Sequence, residues 1–150
     1  MRLKRLWKTV ENHRKAVNIC LTVITVLVLF GCYVCYTPFV FSTNDDLYMK
    51  DILAGGVTGT PEYRAIFMGP IAGIIISSLY KVIPTVPWYG LFLCACQLAA
   101  MTAVLFKCLQ VAEKIKTKLG IMIMFALISS GVQLQHFASI QFTVVAGIVG

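Results

Sequence analysis

Carboxylates are scarce in this chain, and they are confined. Only 6 of its 150 residues are Asp or Glu, against 13 Lys and Arg, and Asp45, Asp46, Asp51 and Glu62 all fall in one short stretch. Charge of either sign is missing from residues 16–43, 65–80, 82–106 and 119–150. Charged residues make up 13% of the chain and hydrophobic ones 59%, whereas a soluble domain carries roughly 25% charged residues. A helix that crosses a bilayer needs about 20 consecutive apolar residues. The composition therefore excludes an ordinary soluble globular domain and predicts an all-α fold, a polytopic transmembrane helical bundle. Histidine is also rare, and His136 has no second histidine or carboxylate near it in sequence, so it makes a poor start for a metal site. There is no P-loop, nucleophile elbow, internal repeat or low-complexity segment.

The formal net charge is +7, but its location argues against nucleic acid as a partner. Arg2, Lys4, Arg5, Lys8, Arg14 and Lys15 all precede the first apolar run, opposed only by Glu11. Basic residues beside a span mark the cytoplasmic side and touch anionic lipid heads. Membrane lipids are thus the first expected partner. The six cysteines lie in or at the edges of apolar runs, including the pairs Cys32/Cys35 and Cys94/Cys96. A redox or zinc site needs partly solvated thiolates and further ligands, so these read as small helix residues.

In chain order, residues 1–15 form a basic cytoplasmic segment in which Leu3, Leu6, Trp7 and Val10 share a helix face. Spans are expected at about 16–41, 65–83, 88–106, 119–133 and 137–150. The first reads as a retained signal anchor, because it is too long for a signal-peptide h-region and has no small-x-small cleavage site. That places the N-terminus in the cytoplasm and the loop 42–64 outside. Within this loop Asn44 is a suitable N-cap, Asp45 and Asp46 fit a first helical turn, and Gly55-Gly56 stops the helix. A short amphipathic surface helix is expected there, with Asp46 able to pair with Lys50 and with Leu47, Ile52 and Leu53 available for burial. Residues 65–83 are only marginally long enough to span; Gly69-Pro70 and Gly73 suggest a kinked entry or close helix packing. A partial or re-entrant element here would resolve the conflict over the connector that follows, as would an orientation dictated by the first helix. Trp88-Tyr89 reads as an interfacial aromatic pair. The basic connector 107–118 poses a conflict: counting each run as one crossing puts it outside, whereas the positive-inside tendency puts it in the cytoplasm. The last run ends without a polar cap, which suggests that the chain is the N-terminal part of a longer protein.

Three groups carry candidate chemistry. Asp45 and Asp46 could hold a divalent cation such as Mg or Mn through oxygen ligands, or one of them could act as a general base toward a hydroxyl. The blander account is that they stabilise a helix N-terminus and keep an outer loop wet. Glu62 and Arg64 flank Tyr63, and Arg64 either grips a phosphate bidentately or anchors at the headgroups. Gln133, Gln135 and His136, with Gln141 and Thr143 beyond, either bind a sugar or polar headgroup or bond neighbouring helices.

The sequence resembles the N-terminal part of the type C glycosyltransferase superfamily, multi-span enzymes that use polyprenyl-phosphate-linked sugar donors. The resemblance lies in the layout: one span at 16–41, an external loop opening with N-D-D-L at Asn44 to Leu47, a surface helix at 48–54, a Gly- and Pro-containing return at 55–64, and a second span from Ala65. The segments T-G-T-P-E-Y-R and P-T-V-P-W-Y-G also resemble polytopic proteins of Gram-positive bacteria. The resemblance implies a glycosyltransferase of cell-surface polysaccharide synthesis, with Asp45 or Asp46 as catalytic base or metal ligand. On this reading Arg64 holds the donor phosphate, Glu62 joins it in binding substrate, and Gln133, Gln135 and His136 line the cavity. The alternatives are a transporter or flippase component, or a non-catalytic membrane subunit.

Overall fold

The computed structural model describes the backbone of residues 2–36, 40–41, 44–140 and 142–149, and the side chains of 13–36, 40–41, 44–131, 143 and 145–147. The described fold is helical: α1 (Arg2–Tyr36), α2 (Asn44–Ala54), α3 (Pro70–Val82), α4 (Trp88–Val111), α5 (Ile115–Ala138) and α6 (Phe142–Val149). Two two-residue strands, β1 (Val40–Phe41) and β2 (Ser139–Ile140), pair in parallel, with Val40 opposite Ser139 and Phe41 opposite Ile140. The chain divides into two compact units, Met1–Thr37 with Leu98–Gln135, and Pro38–Gln97 with His136–Gly150.

In the first unit α1 is one continuous helix, so the basic segment and the apolar run expected as separate elements share a single axis that ends at Tyr36. The side chains of Leu3, Leu6, Trp7 and Val10 lie outside the described residues. Along α1 the buried positions Asn18, Thr22 and Val26 recur every four residues, while Ile24, Leu27 and Val28 are nearly 60% exposed. Asn18 and Thr22, by contrast, are each 1% exposed. The same inversion holds on α5, where Lys118 and Ser129 are buried while Ile123, Leu127 and Ile128 are exposed. A helix in water does the opposite, hiding its aliphatic stripe and wetting its polar one. Large aliphatic side chains outside and small polar ones between helices suit a lipid surround. Two helical stretches among the described residues, His13–Tyr36 and Trp88–Val111, are long and apolar enough to cross a membrane.

The basic connector lies beside the N-terminal basic end. Arg14 Nη2 donates to the Ala112 carbonyl at 3.1 Å, Asn18 Nδ2 donates to the Leu109 carbonyl at 3.3 Å, and Lys118 Nζ donates to Asn18 Oδ1 at 2.5 Å. The last carbonyls of a helix have no partner within it, and here α1 supplies two of the missing donors for the end of α4.

The second unit packs α2, α3, the first turns of α4 and α6 around Met49, Leu53, Ala65, Ile76, Tyr80, Tyr89, Leu93, Cys94 and Val145. The helix α2 buries Met49, Ile52 and Leu53, but Leu47, expected inside, is exposed and Asp46 is buried instead. It stops as its glycines predict. Gly55 takes φ +87°, its N–H reaches the Ile52 carbonyl at 3.2 Å, and the Gly56 N–H reaches the Asp51 carbonyl at 2.7 Å. This is the paired bonding of a Schellman cap. A Cβ on Gly55 would lie 2.7 Å from the Thr60 carbonyl carbon, so the tight return also excludes a side chain.

The second apolar run is only partly helical. Pro70 opens α3 at its first turn and the helix has 13 residues, about 20 Å at 1.5 Å per residue. That is well short of a hydrocarbon core of roughly 30 Å. Gly73 brings α3 against the backbone of the return loop, where any Cβ would overlap the Tyr63 carbonyl oxygen.

Candidate functional site

The acidic pair is consecutive on α2, and helix geometry separates the two carboxylates. Successive side chains on a helix diverge by about 100°, so packing one of them inward turns the other outward. Asp46 faces in, 1% exposed, and Asp45 is exposed. The Tyr89 hydroxyl, itself fully buried at the start of α4, donates to Asp46 Oδ1 at 2.9 Å. Tyr89 is fixed from three further sides. Its ring stacks on Phe41 with centroids 5.7 Å apart, its hydroxyl lies 3.9 Å from Met49 Sδ, and its N–H donates to the Tyr80 hydroxyl at 3.2 Å. That last bond also satisfies one of the unpaired N–H groups in the first turn of α4.

The sequence expects Tyr89 beside Trp88 as an interfacial pair, and the two side chains take different surroundings. Trp88 is partly exposed and donates its indole N–H to the Ile83 carbonyl at 2.9 Å. Tyr89 instead begins a buried row at spacing four, Tyr89, Leu93, Gln97, Met101, Leu105 and Leu109. That period was present in the sequence and is the signal by which Tyr89 could have been assigned inward. Lys50, expected opposite Asp46, forms its ion pair with Asp51 at 2.6 Å.

Glu62 and Arg64 come together at the other end of the loop. The Arg64 Nε lies 3.8 Å from Glu62 Oε1 and donates to the Tyr63 hydroxyl at 3.3 Å, and the guanidinium sits 5.3 Å from the Tyr63 ring centroid. The hydroxyl acceptor, with the Glu62 carboxylate near it, holds the Arg64 pKa above its ordinary value. The side chain is about three-quarters exposed, so it is a fixed positive charge open to solvent. The Glu62 N–H donates to the Ile52 carbonyl at 3.2 Å, which ties this corner to α2. Ile52 follows Asp46 by six positions, about 9 Å along the helix. Among the described residues no direct contact links the carboxylates of Asp45 and Asp46 to Glu62 or Arg64.

The backbone of Gln133, Gln135 and His136 belongs to the last turns of α5. Their side chains lie outside the described residues, as does Gln141; Thr143 on α6 is exposed. Among the described residues no group of three or more His, Cys, Asp or Glu gathers at one point, so any cation at Asp45 or Asp46 would take most of its ligands from water or substrate. The cysteines are all free thiols, four of them on exposed helix surface.

Sequence reasoning missed a set of polar residues inside the apolar runs, Asn18, Thr22, Gln97 and Ser129, and the burial of Lys118 just before the last run. Gln97 is notable because neither its amide nitrogen nor its oxygen has a hydrogen-bond partner.

No family model, curated protein or solved structure matches this chain.

Proposed function

We propose that the chain is a multi-pass cell-membrane protein that takes part in glycosyl transfer from a polyprenyl-phosphate-linked donor, with the α2 carboxylates at its reaction centre on the outer side. The observation that carries this reading is the division of labour within the acidic pair. A pair that merely capped a helix would need no buried partner, because charge near a helix N-terminus is stabilising while exposed. Asp46 instead is withdrawn from water and held by Tyr89, a cost that a loop kept only for solubility would not incur. In the proposed mechanism Asp45, open to solvent, accepts the proton of the acceptor hydroxyl or ligates a divalent cation. Asp46 and Tyr89 fix the turn from which Asp45 projects. Arg64 offers the donor phosphate a permanently charged fork.

The membrane arrangement proposed with it has three crossings, α1, α4 and α5, and treats α3 as a partial element. This removes the conflict over the connector 107–118. With α3 not crossing, α4 returns to the side on which α1 began, and the connector joins the basic N-terminus in the cytoplasm, as the positive-inside tendency asks. The hydrogen bonds from Arg14 and Asn18 to the end of α4 support that placement.

The test is glycosyl transfer in membranes containing the protein, with Asp45→Asn and Asp46→Asn made separately. Loss of turnover in Asp45→Asn, with a smaller loss in Asp46→Asn, is the expected result. Unchanged turnover in both would refute the proposal. A transporter or flippase component is the second reading, favoured by the buried polar residues Asn18, Thr22 and Lys118 within the helices. It predicts that lipid-linked substrate changes leaflet at the same rate in wild type and Asp45→Asn.

A further inference from the structure

Among the described residues no carboxylate meets the buried lysine in the first turn of α5. Lys118 is 5% exposed, and its ammonium donates one hydrogen bond, to Asn18 Oδ1 at 2.5 Å. An ammonium has three donors, so two remain. Among the described residues no carboxylate pairs with Arg14, Lys107, Lys114, Lys116 or Lys118. Glu113, in the same connector, is exposed and joins none of them. Taking a cation out of water is costly unless an anion meets it.

We propose that this end of the first unit binds the phosphate of an anionic phospholipid headgroup, with Lys118 and Arg14 as its ligands and Asn18 as the residue that positions Lys118. The inference rests on the membrane reading above and on no assumption about glycosyl transfer. Three features fit that occupant. Asn18 is clamped on both sides, its oxygen taken by Lys118 and its amide nitrogen by the Leu109 carbonyl, so the ammonium is held in one place before any ligand arrives. Arg14 commits one nitrogen to the Ala112 carbonyl and keeps its other donors. Exposed aliphatic residues lead away from the cluster on both helices, Ile19 and Val23 on α1 and Leu119 and Ile123 on α5, giving acyl chains an apolar track below the headgroup. The excess of lysine around the site selects a net negative lipid over a zwitterionic one.

The experiment uses the purified chain in mild detergent and follows thermal unfolding as phosphatidylglycerol, phosphatidylcholine or inorganic phosphate is added, since a ligand of the folded state raises the unfolding temperature. Phosphatidylglycerol should raise it in a saturable way, and the other two should not. Lys118→Gln should weaken the apparent phosphatidylglycerol affinity by at least about tenfold, Lys118→Arg should retain it, and Lys116→Gln, on the exposed surface, should change it about twofold or less. Each variant is compared with its own lipid-free unfolding temperature, so a change in basal stability does not mimic a binding defect. Equal shifts from both lipids, a shift from inorganic phosphate alone, or full phosphatidylglycerol binding by Lys118→Gln would each overturn the assignment. Release of the protein from membranes by alkaline carbonate would instead count against the membrane reading itself.

Discussion

Replacing Tyr89 with Phe removes one oxygen and leaves the ring, its stacking on Phe41 and its packing against Leu93 and Met49 largely in place. What is lost is the 2.9 Å bond to Asp46 Oδ1. A hydrogen bond to a charged group contributes about 1.5–3 kcal/mol net, and the carboxylate left behind loses a donor at a site where water does not replace it. Tyr89→Phe should therefore destabilise the chain by about 1.5–3 kcal/mol. Asp46→Asn keeps an acceptor oxygen and should cost less. Because both changes act on one bond, they should not add: the double variant should fall short of the sum by about 0.5–3 kcal/mol. Reversible unfolding in mixed micelles, followed by tryptophan fluorescence, gives the three values needed for the cycle. Additivity of the two changes, or a Tyr89→Phe cost below about 0.5 kcal/mol, would refute the view that this bond holds α2 to α4. A structural bond and a functional one differ in a second readout. If Asp46 only secures α2, Tyr89→Phe should lower stability and leave turnover per folded molecule unchanged; if it positions Asp45, turnover should fall as well.

The two strained or crowded glycines give graded stability predictions. Gly55→Ala should cost about 1–3 kcal/mol from its left-handed φ, and the contact with Thr60 should push it to the upper end; Gly59→Ala, at φ +77° with open space around it, should cost less. Gly73→Ala should cost about 1–3 kcal/mol through overlap with the Tyr63 carbonyl, visible as a lower unfolding temperature with helix content retained by circular dichroism. Topology is checked by single cysteines in a chain whose native cysteines are replaced by serine. Lys116→Cys should resist a membrane-impermeant maleimide on intact cells, and Tyr48→Cys should react. Labelling of both from outside would refute the three-crossing arrangement.

The elements that depend on local chemistry were legible before any coordinates. The acidic first turn and the Gly55-Gly56 stop bracket α2, which already includes Asn44, because helix ends are decided by residues close to them. Pro70 likewise marked where α3 begins. The orientation of side chains within the helices was harder to read. In a soluble protein, aliphatic residues point in and their period reveals the core, but in these runs nearly every position is aliphatic, so the period carries little contrast. The inward face was written instead in the exceptions: Asn18 and Thr22 on α1, Gln97 on α4, Ser129 on α5. Counting uncharged runs locates the spans but does not register the polar residues inside them. Lys118, counted in the sequence only among the connector's cations, is likewise buried and bonded to Asn18.

The length of α4 is a quantitative argument for the membrane reading. Tyr89, in its first turn, bonds Asp46, and Leu109, in its last, accepts from Asn18. The two residues are twenty positions apart, about 30 Å along an α-helix, which is the thickness of a hydrocarbon core. Between them α4 carries one charged residue, Lys107 near its end, and exposes mainly apolar side chains. Shortening α4 by one turn within residues 98–104 should therefore harm membrane insertion or stability far more than substituting the same residues with other aliphatics. Equal tolerance of the two changes, measured by membrane-fraction yield, would remove the length argument for α4 as a crossing.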